Sequence, residues 1–362
     1  METEKVLVAM SGGVDSSVAA KLLTDAGFSC VGCTMKLYDN EDAGIPKANT
    51  CCSLDDVEDA RSVAYRLGMP YYVFNLKDKF AECVIDRFVS AYEHGITPNP
   101  CIDCNRYLKF DKLFERADVM GCRYIATGHY ARVERDGERY VLKKALDETK
   151  DQSYVLYDLT QETLARVKFP LGGLRKTEAR EIAAEAGLIN ARKHDSQDIC
   201  FVPDGDYAKV IETRTGKTPE PGPFLDLNGH VVGTHRGIIH YTVGQRRGLR
   251  MPSDGKLYVV KILPEQNAVV VGPNEALFTR ACLVSNMHWI SGEAPALPFR
   301  CSAKTRYRQL EQPCTVYPAG EGGVRLVFDE PLRAITPGQS AVLYDGDTVL
   351  GGGIIAREET AC

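Results

Sequence analysis

Ser11-Gly12-Gly13-Val14-Asp15-Ser16-Ser17 lies between two patterned segments. Before it, Val6-Leu7-Val8-Ala9-Met10 is a short apolar run of the length of a buried strand. After it, Val18, Ala19, Leu22, Leu23 and Ala26 recur as one face of a helix, and Gly27 stands where that helix would stop. The spacing predicts a loop that joins a strand to a helix N-terminus. Unpaired N–H groups and partial positive charge at such a terminus suit a phosphate. Two adjacent glycines permit close backbone approach, and three serines add donors. The Gly-Lys-Ser/Thr ending of a Walker loop and the Gly-x-Gly-x-x-Gly of a dinucleotide loop are both absent. A tight turn of small residues is the plain alternative; the flanking strand and helix favour a phosphate site.

Outward from this loop, strand and helix patterns alternate. Residues 29–35 and 70–75 read as strands, with a helix over 55–67 between them. Residues 78–94 and 106–120 are helical in pattern, and 124–127 reads as a strand ending in Gly128-His129. Repeated β-α-β units predict a parallel sheet with helices on both faces and ligands beyond the carboxyl ends of the strands. The opening loop, Met35 and Gly128-His129 all fall at such ends, so they are expected to meet around one nucleotide. Residues 38–50 read as a polar loop, and Cys51-Cys52 after it as buried small apolar side chains. Asp136-Gly137 opens a hairpin whose return strand covers 139–144. A polar loop follows at 150–154, and a helix over 177–186, stopped by Gly187, closes the first domain. Beyond Asp206 the texture changes. Thr218-Pro219-Glu220-Pro221-Gly222-Pro223 reads as a linker or stiff loop, and Asn228-Gly229 as a two-residue hairpin turn. Residues 257–263 and 268–271 read as strands. From 281 onward only short strands remain, separated by Gly, Pro and Asp-Gly turns, which predicts a closed barrel or a sandwich.

The 362 residues are 44% hydrophobic and 26% charged, which suits a soluble globular chain of more than one domain. A net charge of -5 excludes nucleic-acid binding by bulk charge and leaves only local patches for it. Lys304, Arg306 and Arg308 alternate along an expected strand and would share one face, with Tyr307 opposite unless a bulge or strand end turns it. Arg246, Arg247 and Arg250 form a second cluster; a solvated surface is the plain alternative for both. No apolar run is long enough for a bilayer, and the N-terminus does not read as a secretory signal. The 13 cysteines are odd in number, so a cytoplasmic chain with reduced thiols is expected rather than a disulfide scaffold. Pro98-Asn99-Pro100-Cys101-Ile102-Asp103-Cys104-Asn105 breaks the helical pattern. It places a C-x-x-C just before a helix, where a thiol pKa would fall or a metal would bind; chance proximity among 13 cysteines is the plain alternative. Cys200 closes the run Asp195-Ser196-Gln197-Asp198-Ile199-Cys200; its spacing reads as a buried strand cysteine.

Residues 11–17 match the pyrophosphate loop of ATP pyrophosphatases. Further matches fall at 99–105, Ala126-Thr127-Gly128-His129-Tyr130-Ala131-Arg132, 150–154, 195–201, 244–249, 305–309 and Thr336-Pro337-Gly338-Gln339. In their order and coverage they resemble the tRNA-specific 2-thiouridylase family. That resemblance implies an N-terminal α/β ATP-pyrophosphatase domain (residues 1–205), a small central domain (206–280) and a C-terminal β-barrel that grips tRNA (281–362). It implies replacement of the C2 oxygen of uridine 34, in the anticodon stem-loop of Lys, Glu and Gln tRNAs, by sulfur. A urea-like carbonyl is a poor electrophile, so ATP adenylates O2; a persulfide sulfur then attacks C2 and AMP departs. ATP would be held by Ala9, Met10, Ser11, Gly12, Gly13, Val14, Asp15 and Ser16, with Met35 and Gly128 at the adenosine end. A Mg²⁺ between Asp15 and the phosphates would remove their repulsion. Cys200 would carry the persulfide, supplied by a donor such as a cysteine desulfurase or sulfur-relay protein. Cys104 would attack it as nucleophile, leaving a Cys104–Cys200 disulfide for later reduction. His129, Lys150, Asp151, Gln152, Arg306, Tyr307 and Gln339 fall at the family's tRNA-contacting positions. One departure matters: Cys101 stands where familiar members carry Asp. Cys101, Cys104 and Cys200 could then hold a [4Fe-4S] cluster, an alternative mechanism. An adenylating amidating synthetase with the same loop is a further alternative.

Overall fold

The computed structural model describes residues 3–38, 54–193, 199–202, 204–251, 255–320 and 322–357. The expected loop over 39–50, the Cys51-Cys52 pair and residues 195–198 lie outside them. Strand β1 (Lys5–Ala9) carries Val6, Leu7 and Val8, all fully buried, as a parallel strand covered on both faces requires. Helix α1 (Val14–Asp25) starts after Gly13 and closes at Gly27, whose φ of 85° suits glycine. Next come β2 (Ser29–Lys36), α2 (Leu54–Arg66) and β3 (Tyr71–Asn75). One helical stretch follows as Lys77–Phe80, Ala81–Ile85 and Asp86–Glu93; a second runs as Pro100–Cys104, Asn105–Lys112 and Leu113–Val119. In each, the middle segment winds as a π-helix. Strand β4 (Tyr124–Ala126) returns to the sheet. A hairpin of β5 (Arg132–Asp136) and β6 (Arg139–Lys143) leaves it, and β7 (Val167–Lys168) completes the order β3-β2-β1-β4-β7, all parallel. The chain goes to one side of β1 for β2 and to the other for β4. The crevice at their carboxyl ends is therefore a topological switch point.

Two expectations change in this domain. The second helical stretch begins at Pro100, not after the cysteines: Asn99 Oδ1 accepts the Cys101 N–H at 3.1 Å, and Pro100 supplies a helical φ at the first position. Cys101 therefore stands in the first turn and Cys104 at the start of the second. The β5–β6 hairpin, expected within the first domain, joins the C-terminal sheet by pairing Lys143 with Thr348.

Helix Tyr207–Thr215 leads to a four-stranded sheet of β8 (Gly222–Leu225), β9 (Val231–His235), β10 (Tyr258–Leu263) and β11 (Ala268–Gly272), in the order β10-β11-β8-β9. The hairpin loop is wider than two residues. Asp226 Oδ1 accepts the N–H groups of Asn228 and His230, which delays re-entry to Val231. The remaining strands, β12 (Phe278–Trp289), β13 (Phe299–Lys304), β14 (Gln312–Pro318), β15 (Val324–Arg333), β16 (Ser340–Asp345) and β17 (Thr348–Ile355), close as a barrel. Pairing of β12 with β17 removes the open edge. Val316, Leu326, Phe328 and Leu343 fill its interior. No described helix is long and apolar enough to cross a membrane.

The barrel grips the segment that precedes the cysteines. Gln339 Nε2 donates to the carbonyls of Thr97 and Pro98 at 2.9 and 3.2 Å, and Thr97 N–H donates to Pro337 O. Arg306 donates to Val243 O, Ala334 O and the Thr336 hydroxyl, tying the central domain to the barrel. The expected cationic face does not form, because β13 ends at Lys304 and the chain turns. Lys304 instead points toward Asp151 and Glu311, at 3.7 and 3.8 Å. Gly338, at φ 89°, allows no Cβ: one would stand 2.0 Å from Ile96 Cγ2. Gly338→Ala is expected to destabilise the protein by about 1–3 kcal/mol, read as a lower melting temperature in calorimetry. An unchanged transition would mean that this contact does not hold the barrel to residues 96–98.

Candidate active site

A cavity of about 340 Å³ opens beyond β1, β2 and β4. Ala9, Met10, Ser11, Asp15, Ser16, Met35 and Gly128 line it, and so do Cys101, Cys104, Cys200, His129 and Gln152. Gly13 and Val14 face a second cavity of about 640 Å³, which shares Ser11, Asp15 and Gln152 with the first and is walled further out by Lys150, Asp151, Tyr307 and Arg308. Gly12 lines neither cavity.

The loop is held by contacts only small residues allow. Gly12 has φ 75°, and a Cβ there would lie 2.3 Å from Asp56 O. A Cβ on Gly128 would lie 2.7 Å from Ser16 N. Ser16 Oγ donates to Gly13 O and accepts the Ser11 N–H, at 3.1 Å each. Asn190 Nδ2 reaches in from far along the chain to Gly12 O (3.0 Å) and Ser17 Oγ (2.7 Å). Lys193 Nζ sits 2.5 Å from Asp56 and 2.7 Å from Asp59, bracing α2 beside the loop. Asp15 is not a bare carboxylate. Its oxygens lie 2.6 and 2.8 Å from the buried Lys176 Nζ, and Oδ1 also accepts from Tyr130 Oη at 2.9 Å. Lys176, Asn190 and Lys193 have no motif in sequence; they matter because folding places them on the loop.

Cys104 is buried. Burial pushes its thiol above the ordinary value, Lys109 opposes that and Asp103 adds to it. The lowered pKa expected from a helix N-terminus is therefore not found: loss of water outweighs the nearby charge. Cys200 is half-buried; Tyr38 Oη donates to its carbonyl at 2.6 Å, and Phe201 packs edge-on to Phe80 and Phe88. Among the described residues no three His, Cys, Asp or Glu side chains come together to hold a metal, so Cys101, Cys104 and Cys200 share the cavity without forming a ligand set.

His129 is buried, with Nδ1 at 2.7 Å from Thr127 Oγ1 and Nε2 at 3.5 Å from Lys109 Nζ. Burial, aided by Lys109, holds its pKa well below the ordinary histidine value, so the ring is neutral. Asp151 organises its own loop, accepting from Ala145 N, Ser153 N and Ser153 Oγ. Gln152 Oε1 accepts the Tyr130 N–H. Of the positions expected to touch RNA, Lys150, Asp151, Gln152 and Tyr307 line the outer cavity, His129 lines the inner one, and Arg306 and Gln339 hold the domains together.

The chain matches three family models: a tRNA methyl transferase HUP domain over residues 4–204, a tRNA methyl transferase PRC-barrel domain over 209–273 and an aminomethyltransferase β-barrel domain over 279–355. It is 49% identical over 360 residues to a tRNA-specific 2-thiouridylase MnmA of Symbiobacterium thermophilum, covering 98% of this chain and 92% of the relative. The same-named proteins of Clostridioides difficile and Acetivibrio thermocellus are 47% and 49% identical, each over 98% of this chain and 98% and 100% of their own lengths. Among solved structures, a 4-thiouridine synthetase–RNA complex with bound ATP is 19% identical, with a TM-score of 0.36 over 59% of this chain and 50% of that one, too slight a likeness to carry an argument.

The Asp15–Lys176 pair generates a double-mutant test. Lys176→Met leaves a carboxylate facing the cavity and is expected to weaken ATP binding about tenfold or more, by calorimetric titration. Adding Asp15→Asn should restore part of the loss. ATP binding by Lys176→Met equal to the unaltered protein would show that the pair does not set the charge of the site.

Proposed function

The chain belongs to the tRNA-specific 2-thiouridylase family, and from that membership we propose that it catalyses ATP-dependent 2-thiolation of the wobble uridine of tRNA. The observation that carries this reading is the shared cavity: Cys104 and Cys200 line the same space as Ser11, Met35 and Gly128. The family models bear a methyltransferase name. A pyrophosphate loop beside two cysteines suits activation by ATP followed by sulfur transfer, in line with the relatives' names.

The reaction divides between the two walls. Ser11, Ser16 and the N-terminus of α1 hold the phosphates, Asp15 stands beside them with its charge met by Lys176, and Met35 and Gly128 lie toward the adenosine. Uridine O2 attacks the α-phosphorus, N3 releases a proton, and pyrophosphate leaves. C2 now carries AMP as its leaving group. Cys104, as thiolate, attacks the Cys200 sulfur of the Cys200 persulfide. The S–S bond to the terminal sulfur breaks, hydrosulfide is released toward C2, and a Cys104–Cys200 disulfide forms. Addition of sulfur to C2 expels AMP. A thiol reductant then restores both cysteines.

Lys150 and Tyr307, on the wall of the outer cavity with Asp151 and Gln152, offer charge and a ring to RNA, while His129, Arg306 and Gln339 shape the surface behind them. The substrates are the Lys, Glu and Gln tRNAs, and the sulfur comes from a cysteine desulfurase or a relay protein. Magnesium would shield the phosphates; Asp15, expected to hold it, is already paired with Lys176, so no step is routed through that ion. The iron–sulfur alternative lacks an assembled ligand set among the described residues. The amidating alternative leaves Cys200 without a task.

Incubation with tRNA, ATP, Mg²⁺ and a persulfide source, followed by nucleoside analysis, should yield 2-thiouridine. Cys104→Ser and Cys200→Ser are each expected to abolish it while ATP binding persists. Thiolation retained in either variant would overturn the assignment of the two cysteines.

A further inference from the structure

Lys109 lines the inner cavity, half-buried, and its one side-chain hydrogen bond among the described residues runs to His129 Nε2 at 3.5 Å. No carboxylate pairs with it among the described residues. Backbone winding places it there. Cys104 and Lys109 are five residues apart, which at 3.6 residues per turn would set them on different faces of a helix. Asn105–Lys112 winds as a π-helix, whose i→i+5 bonding brings residues five apart onto one face. A π segment inside a longer helix is a common mark of a functional site.

Among the described residues, nothing compensates the charge of Lys109. The other titratable groups around the cavity are Asp15, Cys101, Cys104, His129 and Cys200. Asp15 is neutralised by Lys176, and Cys104 is held as a thiol by burial. His129 is neutral, so its Nδ1–H donates to Thr127 and Nε2 is left to accept from Lys109. The ring thus aims the ammonium group without cancelling its charge. A cation kept in a part-enclosed cavity without a counter-ion suits an anionic ligand, which would supply the missing charge.

We propose that Lys109, aimed by His129, binds the α-phosphate of ATP and then of the O2-adenylate, beside Cys104. The assignment rests on the thiolation reading. As uridine O2 bonds to the α-phosphorus, negative charge accumulates on its non-bridging oxygens while the bond to pyrophosphate breaks with its electron pair on pyrophosphate. Lys109 faces that charge. When sulfur adds to C2 and the C2–O bond breaks, the electron pair goes to the phosphate of AMP, and the same ammonium group receives it.

The test is tRNA-dependent pyrophosphate release by the full-length protein, measured with ATP and with an α-phosphorothioate ATP. Lys109→Met is expected to slow release about 100-fold, as for loss of one preorganised charge-stabilising group, with KM for ATP changed far less. Replacing an α-phosphate oxygen by sulfur should slow the unaltered protein but add no further slowing in Lys109→Met. Lys109→Arg should recover part of the rate and part of the thio effect. Unchanged release in Lys109→Met, or slowing with the thio effect intact, would overturn the proposal; the second result would mark a structural role. Pyrophosphate release by the unaltered protein without 2-thiouridine would instead overturn the thiolation reading, and the thio effect would still decide the assignment of Lys109.

Discussion

The close approach of Gly128 to the turn at Asp15 and Ser16 sets the spacing on which the inner cavity depends. A side chain there would meet Ser16 N at 2.7 Å and the Asp15 carbonyl carbon at 2.8 Å. The end of β4 therefore lies directly against the start of α1. The parallel sheet makes this contact possible, because β1 and β4 are neighbours with their carboxyl ends on one side. The contact also fixes His129, the next residue, in the cavity wall. A wider gap would separate the loop from the ring that orients Lys109. Gly12, pressed on Asp56, fixes the loop from the opposite side.

Charge in the site is arranged by pairing rather than by sum. The chain carries a net -5, yet its inner cavity presents a cation, Lys109, that no carboxylate among the described residues pairs with. Asp15 is the carboxylate nearest the expected phosphates, and Lys176 and Tyr130 both hold it. A buried ion pair of this kind gives little net stability, because desolvation offsets attraction. Its value lies in geometry: it removes repulsion from the anion site without adding a mobile charge. Lys193 likewise directs its charge to Asp56 and Asp59, bracing the loop from behind.

The local parts of this design were legible in sequence, and the long-range parts were not. β1, the loop and α1 form a contiguous stretch whose periodicity and glycines describe their own shape, and the cysteines were found through motifs. The helix start at Pro100 carried a readable signal, since Asn followed by Pro is a capping pair; the two prolines at 98 and 100 read instead as a break. Lys176 and Asn190 carried none. They stand 161 and 178 residues from their partners in the loop, and only tertiary packing brings them there. The π winding that turns Lys109 toward Cys104 leaves no trace in hydrophobic spacing. The pattern at Lys304, Arg306 and Arg308 misled because alternation implies one face only while the strand lasts, and β13 stops at Lys304. Cys104 misled for a related reason: sequence shows a helix terminus but not the burial that outweighs it.

That burial has a chemical consequence. A thiol held above its ordinary pKa is a poor nucleophile and a poor target for oxidants. Between turnovers Cys104 therefore rests in its less reactive form. Phe80, Val84 and Phe201 line the cavity beside the thiol, and in the thiolation reading the same wall would limit water near C2 of the uridine. An O2-adenylate exposed to water would be hydrolysed back to uridine and AMP, wasting the ATP. Low water and a reactive thiolate make opposite demands on one cavity, since desolvation opposes ionisation. A fixed cation in the dry space reduces the conflict without removing it, because electrostatic attraction strengthens as water is removed but burial still outweighs it at Cys104. Lys109 is that cation: it lines the same cavity as Cys104, and among the described residues no carboxylate pairs with it.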